Sequence, residues 1–225
     1  MADLRQRILQ RACDLYLRTG LDGFSMRKLA RELGVTAPAL YRHYDGREAV
    51  LADVVREAHK VFMSYIYRAL EAPTPLERMW RAGEGYLDFA LEHPRWYAIM
   101  FSGPERLGME ALPDDIEAMG CAIHQFWIDR VSECMRAGIL KQGDPLAVSL
   151  TMWAHAHGMV ELYQQGRLPI DERGFRALFE ESGLRLMVGV AADAFEAAHA
   201  TADAPASVPA RGPRELDFPT ANRGA

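Results

Sequence analysis

The side chains best equipped for chemistry in the first fifty residues fall in one short stretch. Ser25 and Arg27 precede a glycine at position 34, and Thr36, Ala37, Pro38, Ala39, Tyr41, His43 and Arg47 follow it. What these groups offer is hydrogen bonding and charge rather than bond making. Ser25 suits an N-cap and opens a helix through Met26, Leu29, Ala30 and Leu33. Gly34 lets the backbone reverse at positive φ. Thr36 then opens a very short helix, with Pro38 in its first turn where a missing N–H costs nothing. Leu29, Leu33, Val35 and Leu40 hold the pair at a steep angle and leave the outer face of the second helix free to enter a major groove.

Charge supports that use. Residues 1–47 carry 9 Lys+Arg against 5 Asp+Glu, a net of +4, whereas the whole chain of 225 residues stands at −5. Only the N-terminal segment is charged to meet phosphate.

Catalytic patterns are missing. There is no nucleophile elbow, phosphate-cradling glycine loop, HExxH helix or pair of carboxylates in an apolar setting, and GEGY inside a helix is not a dinucleotide loop. An all-α enzyme is the reading of a different class, and no enzyme is expected. Cys13, Cys121 and Cys134 are widely spaced and read as small buried apolar residues, not as a disulfide framework or zinc site. His155 and His157 lie two apart, which on a helix points them in nearly opposite directions, so no metal is expected. His93 before Pro94 reads as a helix end, and His124 as a lone helical histidine without a partner. No cofactor is expected. No apolar run is long enough to span a bilayer, and the first residues lack a signal-peptide core, so a soluble, cytoplasmic protein with no membrane partner is expected.

The elements that position these residues follow the 3.6-residue period throughout, which predicts an all-α fold. Leu4, Ile8, Ala12 and Leu15 mark a first helix ending at Thr19-Gly20. After the short third helix, a long helix is predicted from Arg47 to about Leu70, and another from beyond Pro75 to His93. A short one covers PRWYAIMF, and SGPERLGMEALPD reads as a loop. Three further helices are predicted over roughly 114–137, 145–165 and 172–198. The organisation expected is a helix-turn-helix domain over 1–47, a helical ligand-binding and dimerisation domain over 48–199, and a disordered tail over 200–225.

The string FSMRKLARELGVTAPALYRHYDGREAVL resembles the tetracycline-repressor (TetR) family of transcriptional regulators on Thr36, Leu40, Tyr41, His43, Tyr44 and Arg47. The resemblance covers about the first 50 residues. It implies that Tyr41 and His43 contact phosphate, that Arg47 grips the DNA backbone, and that Ser25 and Arg27 add contacts from the second helix. The family usually has more polar residues at Ala37 and Ala39, so base reading here leans on thymine methyls, Thr36 and Arg27. Tyr44 is read as a core aromatic, Tyr41 as exposed. Farther along, Trp153, His157 and Gly158 resemble the Trp-x3-His-Gly C-terminal domain of a subset of the family, and are read as helix-packing residues.

One short reading helix buries little surface, so a homodimer on palindromic double-stranded operator DNA is expected. Its interface is predicted on the last two long helices, at Gly158, Phe175, Leu178, Phe179, Gly183, Leu186 and Val190. Gly83 and Gly85 inside a helix each cost about 1 kcal/mol against alanine, which signals a need for space. Around them Trp80, Tyr86, Phe89, Tyr97, Met100, Phe101, Phe126, Trp127, Met152 and Trp153 form an aromatic, methionine-rich set suited either to an apolar pocket or to plain core. With few charges facing it, such a pocket would take a mostly apolar small molecule. A regulator that needs no small molecule, and answers to a protein partner or to nothing, is the further alternative.

Overall fold

A computed structural model describes residues 4–191. Helices are the regular elements of these residues, with no strand among them. The helices are α1 (Leu4–Gly23), α2 (Met26–Leu33), α3 (Ala37–Tyr41), α4 (Arg47–Ile66), α5 (Pro75–Glu92), α6 (Pro94–Met100), α7 (Pro104–Leu107), α8 (Asp114–Arg136), α9 (Pro145–Gln164) and α10 (Glu172–Val190). An antiparallel bridge pairs Leu140 with Ala191 and ties the turn after α8 to the end of α10.

Local chemistry explains the breaks. Gly20 takes a φ of 69° and interrupts α1 where the sequence predicts its end, with one more turn running on to Gly23. Ser25 caps α2 by accepting the Lys28 amide, and Gly34 closes it in the left-handed region at φ 69°. Thr74 and Glu77 form a reciprocal capping box ahead of α5, with Pro75 at the first position. Asp144 and Asp171 cap α9 and α10.

Ile8, Ala12, Leu15 and Tyr16 of α1 pack with Leu29 and Leu40 on the N-terminal half of α4. Farther along α4, Ala58, Phe62 and Ile66 pack on α5. One buried cluster thus runs from Ile8 to Phe175, and α4 is the element that both the head (α1–α3) and the body (α5–α10) lean on. A smaller cluster gathers Met79, Val131, Cys134, Met135 and Met187 at the far end.

Four expectations need correction. The long fourth helix stops at Ile66, and Tyr67–Glu71 tightens into a 3-10 turn ahead of the Pro73/Pro75 pair. The stretch read as loop contains α7, started by Pro104 and ended by Gly108 at φ 83°. Cys121 is exposed, although Cys134 is buried; burial pushes its thiol up to about 11, and that of Cys13 up to about 12. His124 has a partner, because its ring meets Trp153 edge-on at 5.1 Å. The helix expected to reach 198 is described only to Val190, and the tail over 200–225 lies outside the described residues.

Candidate nucleic-acid interface and cavity

The α2–turn–α3 hairpin has the geometry expected of it. The Gly34 and Val35 amides donate to the Arg31 and Ala30 carbonyls, which folds the chain sharply back at the end of α2. Leu40 is fully buried and pins α3 to the head, as Leu29 does for α2. The opposite face of α3 is open: Thr36 and Pro38 are exposed, Tyr41 is 52% exposed, and Arg27 and Lys28 on α2 are exposed beside it. Tyr44 is buried, with its hydroxyl donating to Asp53 at 2.8 Å and the Arg5 guanidinium over its ring.

Several sequence-predicted contacts sit differently. Ser25 is half-buried, with its hydroxyl oxygen used by the Lys28 amide at 3.3 Å. Ala37 and Ala39 are half-buried, and Ala37 packs on the core. His43 is half-buried, and its carbonyl accepts from Arg5. Arg47 departs most: its guanidinium turns inward and donates to the carbonyls of Leu21, at 3.1 Å, and Leu107, at 3.4 Å. It lies at the root of α4, between the end of α1 and α7, where it shares the Leu21 carbonyl with the Phe24 amide. Arg42, just past α3, is exposed and was not singled out from the sequence. Only its position after α3 could have marked it.

Behind the head, α6 is fastened to α1. The Tyr16 hydroxyl donates to the Arg95 carbonyl and the Arg95 guanidinium donates to the Tyr16 carbonyl, while Tyr16 and Trp96 pack ring to ring at 6.3 Å. On its other side α6 meets α5 and α9 through a polar knot. The Tyr97 hydroxyl lies 2.6 Å from His157 Nδ1 and 2.9 Å from the Tyr86 hydroxyl, which itself reaches His157 at 3.2 Å. Burial holds both phenols above their ordinary range and His157 below its own. His157 is thus kept neutral and tied to the phenols rather than merely packing helices.

Next to this knot a cavity of about 410 Å³ opens between α5, α8, α9 and α10. Of the residues predicted to form a pocket, Trp80, Gly83, Tyr86, Trp127, Met152 and Trp153 line it. Phe89, Tyr97, Met100 and Phe126 are buried in the core outside it, and Phe101 packs against Tyr97 and His157. Phe89 turns instead to Phe62 at 5.0 Å, and Phe126 to Tyr67 at 5.3 Å, because their positions on α5 and α8 face α4 and the turn after it. Trp127 carries a buried indole N–H with no acceptor among the described residues. The two helical glycines divide the work: nothing lies within 4 Å of where a Gly83 side chain would sit, whereas a methyl at Gly85 would meet the Tyr65 carbonyl oxygen at 2.7 Å. The rim also carries charge that the sequence did not reveal, from Glu84, Asp88, Arg176 and Glu180.

The predicted dimer residues scatter. Leu178 is exposed and Gly158 half-buried with open space beside it. Phe175 is fully buried, stacked on Tyr163 at 4.1 Å. Phe179, Gly183 and Leu186 line the cavity, and Val190 packs on the smaller core cluster. Leu146, Leu150 and Leu162 of α9 and Leu184 and Val188 of α10 are the large apolar side chains exposed with Leu178.

Comparison with known proteins agrees with this layout. Residues 8–54 match bacterial regulatory proteins, tetR family, and residues 79–186 match the tetracyclin repressor-like C-terminal domain. YobS of Bacillus subtilis (strain 168), an uncharacterized HTH-type transcriptional regulator, is 29% identical over 94 residues, 41% of this chain; the match spans 49% of YobS, about half its length. The class A tetracycline repressor from transposon 1721 of Escherichia coli is 45% identical over 51 residues, 23% of each chain. A structure of a protein of unknown function from Rhodococcus sp. RHA1 superposes with a TM-score of 0.75 at 25% identity, over 85% of this chain and 97% of that one. Both halves of the chain match models of one family, and the hairpin and helical body follow its plan: this protein belongs to the TetR family of DNA-binding transcriptional regulators.

Proposed function

We propose that the protein is a homodimeric repressor that reads a palindromic operator and is released from it by a mostly apolar small molecule held in the cavity. The observation that carries the DNA reading is the open face of α3, with Thr36, Pro38 and Tyr41 exposed on a head whose charge is net positive. Arg27, Thr36 and Tyr41 are the side chains placed to reach bases and phosphates, with Ala37 and Ala39 low enough on the helix for contact with thymine methyls only. Two heads on one duplex would sit about 34–36 Å apart. The exposed leucines of α9 and α10 offer the self-complementary apolar face that such a pair needs. Such a protein would work in the cytoplasm, where its operator lies.

A cavity rather than a filled core supports ligand sensing over a regulator that answers to no small molecule. The ligand would act by shifting a population. Tyr86 belongs both to the cavity wall and to the knot with Tyr97, so filling the cavity bears on α6, and α6 bears on α1 through Arg95 and Tyr16. A state with α6 displaced would turn the heads out of register with the half-sites.

Selection of bound fragments from genomic DNA tests the reading directly. Palindromic sites are expected, bound tightly by the native protein and at least tenfold more weakly by Tyr41→Phe or Arg27→Ala at fixed salt. Recovery of no enriched sequence would remove the proposal.

A further inference from the structure

The cavity is walled by Trp80, Trp127 and Trp153, and its rim carries Glu84, Asp88 and Glu180 against a lone Arg176. The charges do not cancel. Arg176 is already engaged, donating to Asp88 of α5 at 2.6 Å and to Glu172 of its own helix at 3.0 Å, which sets its positive charge against two carboxylates. Glu84 and Glu180 have no ion-pair partner among the described residues, and both are exposed members of the cavity lining, one on α5 and the other on α10. His155, the remaining basic side chain at the cavity, has its Nε2 in a 3.0 Å hydrogen bond with the Ser182 hydroxyl.

Each part of this arrangement selects. An apolar interior with aromatic walls takes a hydrophobic body, and indole faces attract cations more than other rings do. Two unneutralised, exposed carboxylates beside an apolar cavity set up a negative potential that raises the local concentration of cations and repels anions. An anionic ligand would face Glu84 and Glu180 with its only countercharge, Arg176, already paired.

We infer that the cavity recognises a hydrophobic organic cation, its apolar or aromatic body among the three tryptophans and its positive charge held at the mouth by Glu84 and Glu180. This deepens, and rests on, the reading of the cavity as the effector site, by giving the mostly apolar effector a cationic end.

Three arylated probes of different charge separate the possibilities: tetraphenylphosphonium and tetraphenylborate, which share one shape, and the smaller, neutral triphenylphosphine oxide. Binding to the full-length native protein is followed by quenching of tryptophan fluorescence. Tetraphenylphosphonium is expected to bind at least tenfold more tightly than tetraphenylborate, and the ratio should shrink as salt rises, because the rim carboxylates are exposed. In the double variant Glu84→Gln/Glu180→Gln the ratio is expected to fall close to one while triphenylphosphine oxide binds as before, which also shows that the cavity is intact. Equal or tighter binding of tetraphenylborate by the native protein, or a cation preference that survives in the double variant, overturns the charge assignment and leaves effector sensing standing. Failure of all three probes to bind overturns both this inference and the effector reading on which it rests.

Discussion

The Tyr16 hydroxyl donates to the Arg95 carbonyl at 2.8 Å, and the Arg95 guanidinium donates back to the Tyr16 carbonyl at 3.3 Å. Two residues 79 apart in sequence thus exchange a pair of hydrogen bonds between the head and the body, and each bond holds the other in place.

Reciprocity of this kind predicts non-additive energetics. Tyr16→Phe and Arg95→Ala are each expected to lower unfolding stability by about 1 kcal/mol, the usual net worth of a hydrogen bond. The double variant should lose less than the sum, with an interaction energy of about 0.5 kcal/mol or more. Chemical denaturation of the four proteins measures it. Strict additivity would mean that the two bonds act independently and that α6 is not fastened to α1 by this exchange.

Arg27 and Arg47 should part company in their response to salt. Arg27 is exposed beside α3, so Arg27→Ala is expected to reduce the slope of log affinity against log salt by about one counterion. Arg47 is committed to the Leu21 and Leu107 carbonyls, so Arg47→Ala should leave that slope nearly unchanged and instead lower stability by about 1–2 kcal/mol. Binding titrations across a salt series, paired with thermal melts, separate the two. A salt slope that falls equally for both would return Arg47 to the DNA.

Gly83 and Gly85 are two residues apart yet should answer oppositely to alanine. A methyl at Gly85 would press on the Tyr65 carbonyl, and Gly85→Ala is expected to cost about 1–3 kcal/mol as an overpacking change. Gly83 faces the cavity with nothing nearby, and Gly83→Ala should raise stability by up to about 1 kcal/mol through helix propensity while narrowing the space for ligand. Melting temperatures of both variants decide the matter.

Much of this was legible in the sequence because it is local. Ser25, Gly34, Pro38 and the apolar spacing of Leu29, Leu33 and Leu40 specify the hairpin within sixteen residues, and the structure follows them closely. Gly83 and Gly85 announced a demand for room, but the sequence could not say that one serves a close helix contact and the other a cavity. Assignments that depend on how distant helices turn toward each other were out of reach. Phe175, Phe179 and Leu186 share a helix with Leu178, yet the first is core, the next two face the cavity and only Leu178 faces out. On α9, Leu146 and Leu150 stand four positions apart, a helical spacing that could have marked an outer stripe, whereas Leu162, twelve positions farther on, falls on a different side of the helix. The inward turn of Arg47 depends on Leu107, sixty residues away, and no local pattern encodes it.

His157 ties acid sensitivity to the knot. Burial holds its pKa below the ordinary value of 6.5, so the unfolded chain takes up a proton at that position before the folded protein does. Its contribution is therefore flat above pH 6.5, and stability falls as pH drops below it toward the folded pKa. His59, buried and donating to the Val55 carbonyl, is shifted the same way and adds to the decline. His157→Gln is expected to make the fall in unfolding free energy between pH 6.5 and pH 5.5 shallower, as measured by denaturant titrations at each pH. An unaltered slope would mean that His157 does not titrate differently in the folded protein.

The inward-turned arginine at the start of α4 has a mechanical corollary. One guanidinium spans two carbonyls, one in the head and one in the body, so any turning of the head about this point must abandon one of its acceptors. Pivoting at this joint should proceed by detents, with the head resting in a few discrete poses.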